Sequence, residues 1–285
     1  MLRDTNDLKD FTIHATDGDI GSVVDCFFDD EAWTVRYLVV DTGGWLLGRK
    51  VLISPISVMH ADWSKKAIPV AITKKQVEDS PDIDTEMPVS RQHESRYLGF
   101  YGYPSYWGGT GPWAGGAFPG MMMPGYAALE AAPVTLSQQA DIELAAAGED
   151  RLHHHDDVHL RSCKEVKDYH IHATDGEIGH VAGFLLDEQT WAIRYLVVNT
   201  SNWWVGQQVL IAPTWIDEIR WLDRTVSINL TRQSIREAAP YDKTVELSRK
   251  QEIAIYTHYG YDGYWLPVAE KESHIAPDKF VEHSD

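Results

Sequence analysis

The hydrophobic and polar positions near the start of the chain alternate as β-strands require. Residues 11–14 are apolar at every second position, and residues 20–28 form an apolar-rich stretch after Asp17 and Gly18. An Asp-Gly pair tolerates the backbone conformation of a tight hairpin turn. We therefore expect two antiparallel strands joined at this turn.

The next segments continue the β pattern. Residues 33–40 are dense in β-branched and aromatic side chains and have apolar residues on both faces, which is typical of a central strand. Residues 50–54 predict a strand that ends at Pro55, and residues 58–63 and 67–72 predict a final hairpin. About six short strands spaced by about 8 to 12 residues favour a small antiparallel β-barrel.

Two segments have the spacing of a helix capping box, in which a Ser or Thr and a Gln three residues later satisfy backbone N–H groups. They run from Thr73 to Gln76 and from Ser248 to Gln251. Each predicts a short helix that packs against a β-rich unit.

The whole pattern occurs twice. Residues 10–107 align without a gap on residues 168–265; for example, IHATDGDIG returns as IHATDGEIG, and WTVRYLVV as WAIRYLVV. Solenoid units run at about 20 to 50 residues and need at least about three copies, so this longer, twofold repeat indicates two complete domains.

The predicted fold is therefore mainly β, with two small antiparallel barrels in tandem that pack about a pseudo-two-fold axis. Each copy is expected to fold alone. The expected organisation is repeat 1 at 1–107, a linker rich in Gly, Pro, Met and aromatic residues with an acidic, His-rich end at 108–157, repeat 2 at 158–266, and a polar tail at 267–285.

Aromatic and Met residues cluster at the end of the first copy and in the linker. Such an apolar stretch, with neither helical nor strand periodicity, must be buried against something. Burial between the two barrels and binding of a protein partner are equally consistent with it. The candidate partner-binding residues are Tyr103, Tyr106, Trp107, Trp113, Phe118, Met121, Met122 and Met123.

Composition narrows the class of partner. The chain has 285 residues and a formal net charge of −18, which repels the phosphate backbone of nucleic acids. Neither a signal peptide nor a membrane-spanning segment is visible, so we expect a cytoplasmic protein. The two cysteines, Cys26 and Cys163, occupy non-equivalent positions of the repeat and suggest neither a disulfide nor a nucleophile.

Some polar residues recur in both copies. His14 and Asp17 flank the first turn, as His172 and Asp175 flank its repeat, and each pair could orient one another or bind a ligand. A hairpin turn alone explains them equally well. Arg36 and Arg194 lie in the middle of apolar strands. Each must pair with a carboxylate, with Asp25 or Asp29 as candidates in the first copy, or reach solvent.

A histidine tract offers donors for zinc, nickel or copper, with His153, His154, His155 and His159 as the candidates. Neighbouring side chains of an extended segment point in opposite directions and make a poor preformed site, so a solvated linker is the favoured interpretation. No nucleophile elbow, phosphate-binding loop or zinc-protease motif is present. We therefore expect neither an enzyme nor a cofactor.

Three stretches of the first copy resemble the PRC-barrel family. They are the G-x-x-x-D-x-x-F-D-D pattern at 21–30, RYLVVDT at 36–42 and GRKVLISP at 48–55. The resemblance covers both copies. The second copy departs slightly from the pattern, with Gly183, Asn199 and Gln207-Gln208 in place of Asp25, Asp41 and Arg49-Lys50.

The resemblance implies a domain that holds a partner, as in the cytoplasmic domain of the photosynthetic reaction centre H subunit and the C-terminal barrel of the ribosome maturation factor. The tandem form resembles a widespread bacterial group. The first hypothesis is a non-catalytic cytoplasmic scaffold or adaptor that binds a protein. The alternatives are an accessory protein of photosynthetic or other electron-transfer complexes, and metal binding through the linker histidines.

Overall fold

The computed structural model describes residues 1–81, 89, 91–106, 113, 159–200 and 206–266. These residues form mainly β structure in two mixed sheets, with few helices, which confirms that the fold is mainly β. Within these ranges, no helix has the length and apolar character needed to cross a membrane.

The first sheet is built from the N-terminal half of the chain. Its strands follow the order β5-β4-β3-β2-β6, and all neighbours are antiparallel except β2 and β6, which are parallel. The strands are β2 (Thr12–Ala15), β3 (Gly18–Asp29), β4 (Thr34–Asp41), β5 (Lys50–Ile53) and β6 (Ala67–Pro69).

The second sheet repeats this arrangement. Its order is β11-β10-β9-β8-β13-β12, with β13 and β8 parallel. Ser22 pairs with Asp41 in the first sheet, and their repeat equivalents His180 and Asn199 pair in the second. The strands are β8 (His170–Ala173), β9 (Gly176–Asp187), β10 (Ile193–Asn199), β11 (Gln208–Ile211), β12 (Ile216–Arg220) and β13 (Thr225–Ile228).

The prediction of purely antiparallel sheets is wrong. In each copy, the chain reverses at a turn just before its last strand. In the first copy, the bridge between Asp62 and Ala67 closes this turn. The returning strand β6 then runs in the direction of β2 and pairs with it. Among the described residues no strand pairing joins β5 to β6, so the sheet is an open path.

The helices are short and lie around the sheets. Both capping boxes are confirmed: Thr73 caps α1 and Ser248 caps α5. The helix α2 occupies the position in the first copy that α5 occupies in the second and was not predicted. The helices are α1 (Lys74–Asp79), α2 (Arg91–Tyr101), α3 (Cys163–Val166), α4 (Arg232–Arg236) and α5 (Arg249–Tyr259), with 3-10 helices at Thr5–Leu8, Gly43–Leu46, Pro55–Ser57 and Pro213–Trp215.

The two copies exchange their first strands. Strand β1 (Leu2–Asp4) pairs with β9 of the second copy, and its repeat equivalent β7 (Leu160–Ser162) pairs with β3 of the first. The registers match: Leu2 lies opposite Asp187, and Leu160 lies opposite Asp29. The exchange therefore obeys a pseudo-two-fold symmetry and ties each sheet to the other half of the chain.

The two sheets also touch directly at their symmetry axis. The Val35 N–H donates to the Trp191 carbonyl oxygen at 2.9 Å, and the equivalent Ile193 N–H donates to Trp33 at 2.6 Å. Trp191 is buried and Trp33 half-buried, and both have positive φ angles, so β4 begins one residue later than predicted. Buried apolar side chains from both sheets then form one continuous core.

Equivalent ion pairs fasten the exchanged strands. Arg3 Nε lies 3.0 Å from Glu188 Oε2, and Arg161 Nε lies 2.8 Å from Asp30 Oδ2. The Arg161 guanidinium also stacks on the Trp221 ring, with a distance of 3.9 Å from Cζ to the ring centroid. Since stacked Arg side chains keep both their charge and their apolar contact, these pairs reinforce the exchange.

Candidate functional site

A buried ion pair occupies the first sheet next to the symmetry axis. Arg36, on β4, is only 2 % exposed, and its Nη2 donates to Asp29 Oδ2 at 3.0 Å. Asp29 Oδ1 accepts the N–H groups of Glu31 and Ala32 at 2.9 and 3.1 Å. Of the two partners expected for Arg36, Asp29 is therefore the one found.

The environment of Asp29 favours its ionised form. Burial by itself would raise the pKa of this carboxyl, but the Arg36 charge and the N–H donors of Ala32 and Glu31 outweigh burial. The net shift of the Asp29 pKa is downward. A buried charge that is paired and hydrogen-bonded in this way is tolerated, whereas an unpaired one is very costly.

Two aromatic rings cover the guanidinium. Arg36 Cζ lies 3.7 Å from the centroid of the Tyr106 ring and 4.7 Å from that of Trp113. The Trp113 indole N–H donates to the carbonyl oxygen of Thr190, in the turn before β10, at 2.6 Å. Trp113 therefore bridges the two copies while it shields Arg36 from solvent.

A second buried carboxylate, Glu94 on α2, is held beside this ion pair. The Tyr106 hydroxyl donates to Glu94 Oε1, and Glu94 Oε2 lies 2.6 Å from His159 Nε2. Glu94 is fully buried and His159 is 5 % exposed. Burial and the nearby Glu94 also hold the pKa of Tyr37 well above its usual range. Asp29, Arg36, Tyr37, Glu94 and Tyr106 are called the polar cluster below.

The second copy contains the same cluster in a more open form. The Tyr264 and Tyr195 hydroxyls donate to Glu252 Oε1 at 2.9 and 3.0 Å. The Arg194 side chain is 20 % exposed and lies 3.5 Å from Asp187 Oδ2, a longer separation than in the first copy. Arg249, rather than a histidine, lies 2.8 Å from Glu252 Oε2.

The partner-binding candidates that the structure describes are turned inward. Tyr103, Tyr106 and Trp113 are 6 %, 3 % and 3 % exposed, so these three form no exposed surface. For them the structure favours the alternative of burial within the chain. Trp107, Phe118, Met121, Met122 and Met123 lie outside the described residues.

The repeated His and Asp residues do not pair with one another. Asp17 Oδ1 accepts the Lys74 N–H at the start of α1, and Asp175 Oδ1 accepts the Arg232 N–H at the start of α4, both at 2.7 Å. His14 Nδ1 instead lies 2.5 Å from Asp19 Oδ1. The two aspartates thus join a hairpin turn to a helix N-terminus, where a carboxylate is favourable.

The turn around His172 is built differently. In the first copy Asp19 pairs with His14, whose equivalent in the second copy is His172. Glu177, the equivalent of Asp19, instead pairs with His170 at 2.9 Å. The arrangement of His14 is therefore not repeated, which argues against a common ligand site at the two turns.

Of the four histidines considered as metal ligands, the structure describes His159, which hydrogen-bonds to Glu94 and Tyr106. His153, His154 and His155 lie outside the described residues. In the part of the chain that the structure describes, no group of three or more His, Cys, Asp or Glu side chains is placed to hold a metal ion.

An open groove of about 360 Å³ lies in the second copy. One wall is a face of α5 on which Gln251, Ala254, Ile255, His258 and Tyr259 recur at helical spacing. The opposite wall is the segment 237–247, which the Tyr241 N–H joins to the Gln208 carbonyl oxygen at 2.7 Å. Most of the lining is apolar or aromatic, including Leu210, Ala238, Pro240, Val245 and Leu247.

Carboxylates stand at the edge of this groove. Glu237 and Asp242 both line it and both are exposed. The Thr244 hydroxyl and N–H donate to Asp242 Oδ1 at 2.7 and 2.8 Å, and these bonds lower the pKa of Asp242. The groove thus combines an apolar interior with a negatively charged rim.

A comparison against protein-family models finds a match. Residues 3–77 match the model of the PRC-barrel domain. A PRC-barrel domain is therefore present at these residues. The resemblance seen in the sequence is confirmed for these residues, and no curated protein matches the chain.

The match to the PRC-barrel domain covers the Asp29–Arg36 pair but not the residues that close over it. Glu94, Tyr106, Trp113 and His159 all lie beyond residue 77. Sequence reasoning missed Glu94 and the groove because neither is marked by a local pattern. The signal that could have found Glu94 is its repeat equivalence with Glu252, both within helices of the same length.

Proposed function

We propose that this protein is a non-catalytic cytoplasmic scaffold that binds a segment of a protein partner in the groove beside α5. The observation that carries this proposal is the groove itself, an apolar channel with Glu237 and Asp242 at its edge. The occupant we propose is a short apolar segment flanked by Lys or Arg side chains.

The charge of the molecule supports this choice of occupant. The chain has a net charge of −18, and His258 is the sole basic residue among those that line the groove. Opposite charge across an interface raises the association rate and selects the partner, while the apolar interior supplies most of the affinity. An acidic or purely polar segment would meet repulsion at the rim.

A non-catalytic role is supported by the way the polar cluster is used. The Asp29 carboxylate, the Arg36 guanidinium and the Glu94 carboxylate are all buried and already bonded to other side chains. Catalytic acids and bases must reach a substrate within hydrogen-bond distance. These groups instead stabilise the packing of α2 and the linker residue Trp113 on the first sheet.

We further propose that residues 159–266 are a second PRC-barrel domain fused in tandem to the first. Support comes from the equivalent strand orders and registers of the two sheets, and from the polar cluster that recurs as Asp187, Arg194, Tyr195, Glu252 and Tyr264. Strand exchange then joins the two domains into one rigid support for the groove.

The test is a peptide array on the full-length protein. Apolar peptides flanked by Lys are compared with the same peptides flanked by Glu. We expect the Lys-flanked peptides to bind the wild type. Ala254→Trp, which fills the groove, should weaken binding at least about tenfold, or about 1.4 kcal/mol.

A matched control comes from the same helix. Ile253 is exposed on α5 but does not line the groove, so Ile253→Trp should leave binding unchanged. Glu237→Gln with Asp242→Asn should weaken binding and reduce its dependence on salt. Equal binding to wild type and Ala254→Trp would contradict the proposal, as would binding of small apolar compounds but of no peptide.

The alternatives of electron transfer and of metal binding gain no support from the described residues. His159, one of the candidate metal ligands, instead contacts Glu94. The scaffold proposal therefore has the more specific structural observation behind it.

A further inference from the structure

The strand exchange brings the two cysteines of the chain together. In the repeat, Cys26 is equivalent to Phe184 and Cys163 to Thr5, so the sequence gives no reason to place them side by side. Strand β7, however, pairs antiparallel with β3, with Phe27 opposite Ser162. Cys163 then begins α3 directly after β7, and its side chain hydrogen-bonds with that of Cys26.

Both thiols lie in one cavity between the copies. Cys26 is 2 % exposed and Cys163 is 7 % exposed, and both line a cavity of about 240 Å³. Thr5 and Phe184, their repeat equivalents, line the same cavity, so it spans the pseudo-two-fold axis.

The contact between the two side chains suits a disulfide. A disulfide needs two cysteine side chains that face each other, and the hydrogen bond between Cys26 and Cys163 shows that these two do. We propose that, under oxidising conditions, Cys26 and Cys163 form a disulfide that holds the exchanged strand β7 on β3 and so fastens the two copies together.

The free thiols are stable until a suitable oxidant enters. Burial raises the pKa of the Cys163 thiol, and a hydrogen bond with Cys26 and the charges of Cys26 and Asp25 raise it further. Protonated thiols react slowly, because the thiolate is the nucleophile. The bond should therefore form with a small disulfide that reaches the cavity, and form slowly at neutral pH.

The oxidant is a low-molecular-weight disulfide, and the reaction balances as two exchanges. One cysteine loses its proton and attacks the oxidant, forming a mixed disulfide and releasing one small thiol. The other cysteine then attacks the protein sulfur of the mixed disulfide and releases the second small thiol. The two cysteines lose two electrons and two protons, and the oxidant gains both.

The disulfide acts on one of the two exchanged strands. Near β7, Asp25 already accepts the Ser162 hydroxyl at 2.5 Å and the Lys164 N–H at 3.1 Å, so the backbone beside Cys163 is held in place. At the equivalent position of β1, the pair Thr5 and Phe184 has no sulfur. Oxidation would thus fix β7 covalently, while β1 stays joined by non-covalent contacts.

The experiment treats the full-length native protein with oxidised glutathione, blocks the remaining thiols with an alkylating reagent and denatures the protein. The expected product has lost the mass of two hydrogen atoms and has no alkylated cysteine. It migrates faster in gel electrophoresis without reductant and yields a peptide that joins Cys26 to Cys163. Its melting temperature rises above that of the reduced protein, because the bond restricts the unfolded chain.

The variants Cys26→Ser and Cys163→Ser serve as controls, each compared with itself before and after oxidation. Neither should gain mobility or thermal stability. Two outcomes would overturn the proposal. In one, both cysteines of the native protein stay free under excess oxidant yet react once the chain is denatured. In the other, the final products are dimers between chains or stable mixed disulfides with glutathione.

Discussion

Replacing Asp29 by Asn tests whether the buried ion pair stabilises the first copy as the structure indicates. Asparagine keeps the shape of the side chain and one acceptor oxygen for the Glu31 and Ala32 N–H groups. It removes the charge that lies 3.0 Å from Arg36. Since Arg36 is 2 % exposed and covered by Tyr106 and Trp113, its charge cannot reach water by a change of rotamer.

The expected loss of stability is large. Removing one partner of a buried ion pair costs about 3 to 5 kcal/mol, because the remaining charge loses that carboxylate inside the protein, where water cannot replace it. For a chain of this size, a loss of about 1 kcal/mol lowers the melting temperature by about 2 to 4 °C. Asp29→Asn should therefore lower the melting temperature by about 6 °C or more.

The repeat supplies a matched control. Asp187→Asn makes the same change at the equivalent position, where Arg194 is 20 % exposed and 3.5 Å from its partner. The Arg194 guanidinium keeps partial access to water, so this change should cost about 1 kcal/mol or less. The comparison isolates burial as the cause, since the residue types and the strand positions are the same.

The measurement is urea unfolding followed by circular dichroism, with calorimetry for the melting temperatures. Asp29→Asn combined with Arg36→Met should recover most of the lost stability, because an apolar side chain of similar length replaces the buried guanidinium. The reasoning is refuted if Asp29→Asn and Asp187→Asn have equal effects, or if the double variant is less stable than Asp29→Asn alone.

The pH dependence of the same pair has a definite sign. The folded-state pKa of Asp29 is below its ordinary value of 3.8, so the ionised pair adds its full stability above that value. This contribution is lost as the pH falls below 3.8 and through the folded-state pKa. The difference in unfolding free energy between wild type and Asp29→Asn should shrink over that acidic range and stay constant between pH 5 and 7, a window of about two units.

Two further predictions concern the backbone and the strand exchange. A Cβ atom at Gly21, where φ is +159°, would overlap the Asp41 carbonyl oxygen, so Gly21→Ala should cost about 3 kcal/mol or more in urea unfolding. Gly44 has open space around it, so Gly44→Ala should change the unfolding free energy by no more than about 0.5 kcal/mol. Equal effects of the two substitutions would contradict the close approach at Gly21. A fragment of residues 1–107 lacks β7 but keeps the equivalent β1, so it should form a symmetric strand-exchanged dimer in analytical ultracentrifugation, and a stable monomer would show that the exchange is not needed to complete the sheet.

Local features of the fold could be predicted from the sequence because they depend on residues close together in the chain. The strand around residues 33–40 follows from its β-branched and aromatic side chains, and the cap of α1 follows from Thr73 and Gln76. The pairing of Arg36 with a nearby carboxylate follows from the cost of an unpaired buried charge, since Asp29 is on the adjacent strand. The duplication itself needs no structure at all.

The strand exchange could not be predicted, because a repeat does not reveal whether an element pairs within its own copy or with the other. The sequences of β1 and β7 are the same under either pairing, and the observed pairing of β1 with β9 and of β7 with β3 appears only in the tertiary structure. The parallel pairing of β2 with β6 likewise depends on the direction in which the chain returns. Pattern alone does not specify that direction.

Several buried contacts join residues that are distant in the chain. Glu94 meets His159, Trp113 meets Thr190, and Cys26 meets Cys163, in each case because the two halves pack together. The sequence by itself determined the strands, the caps and the twofold repeat, since these arise from local periodicity and composition. The tertiary structure alone decided which charges are buried together and which surface stays open, because both depend on how the two halves are joined in space.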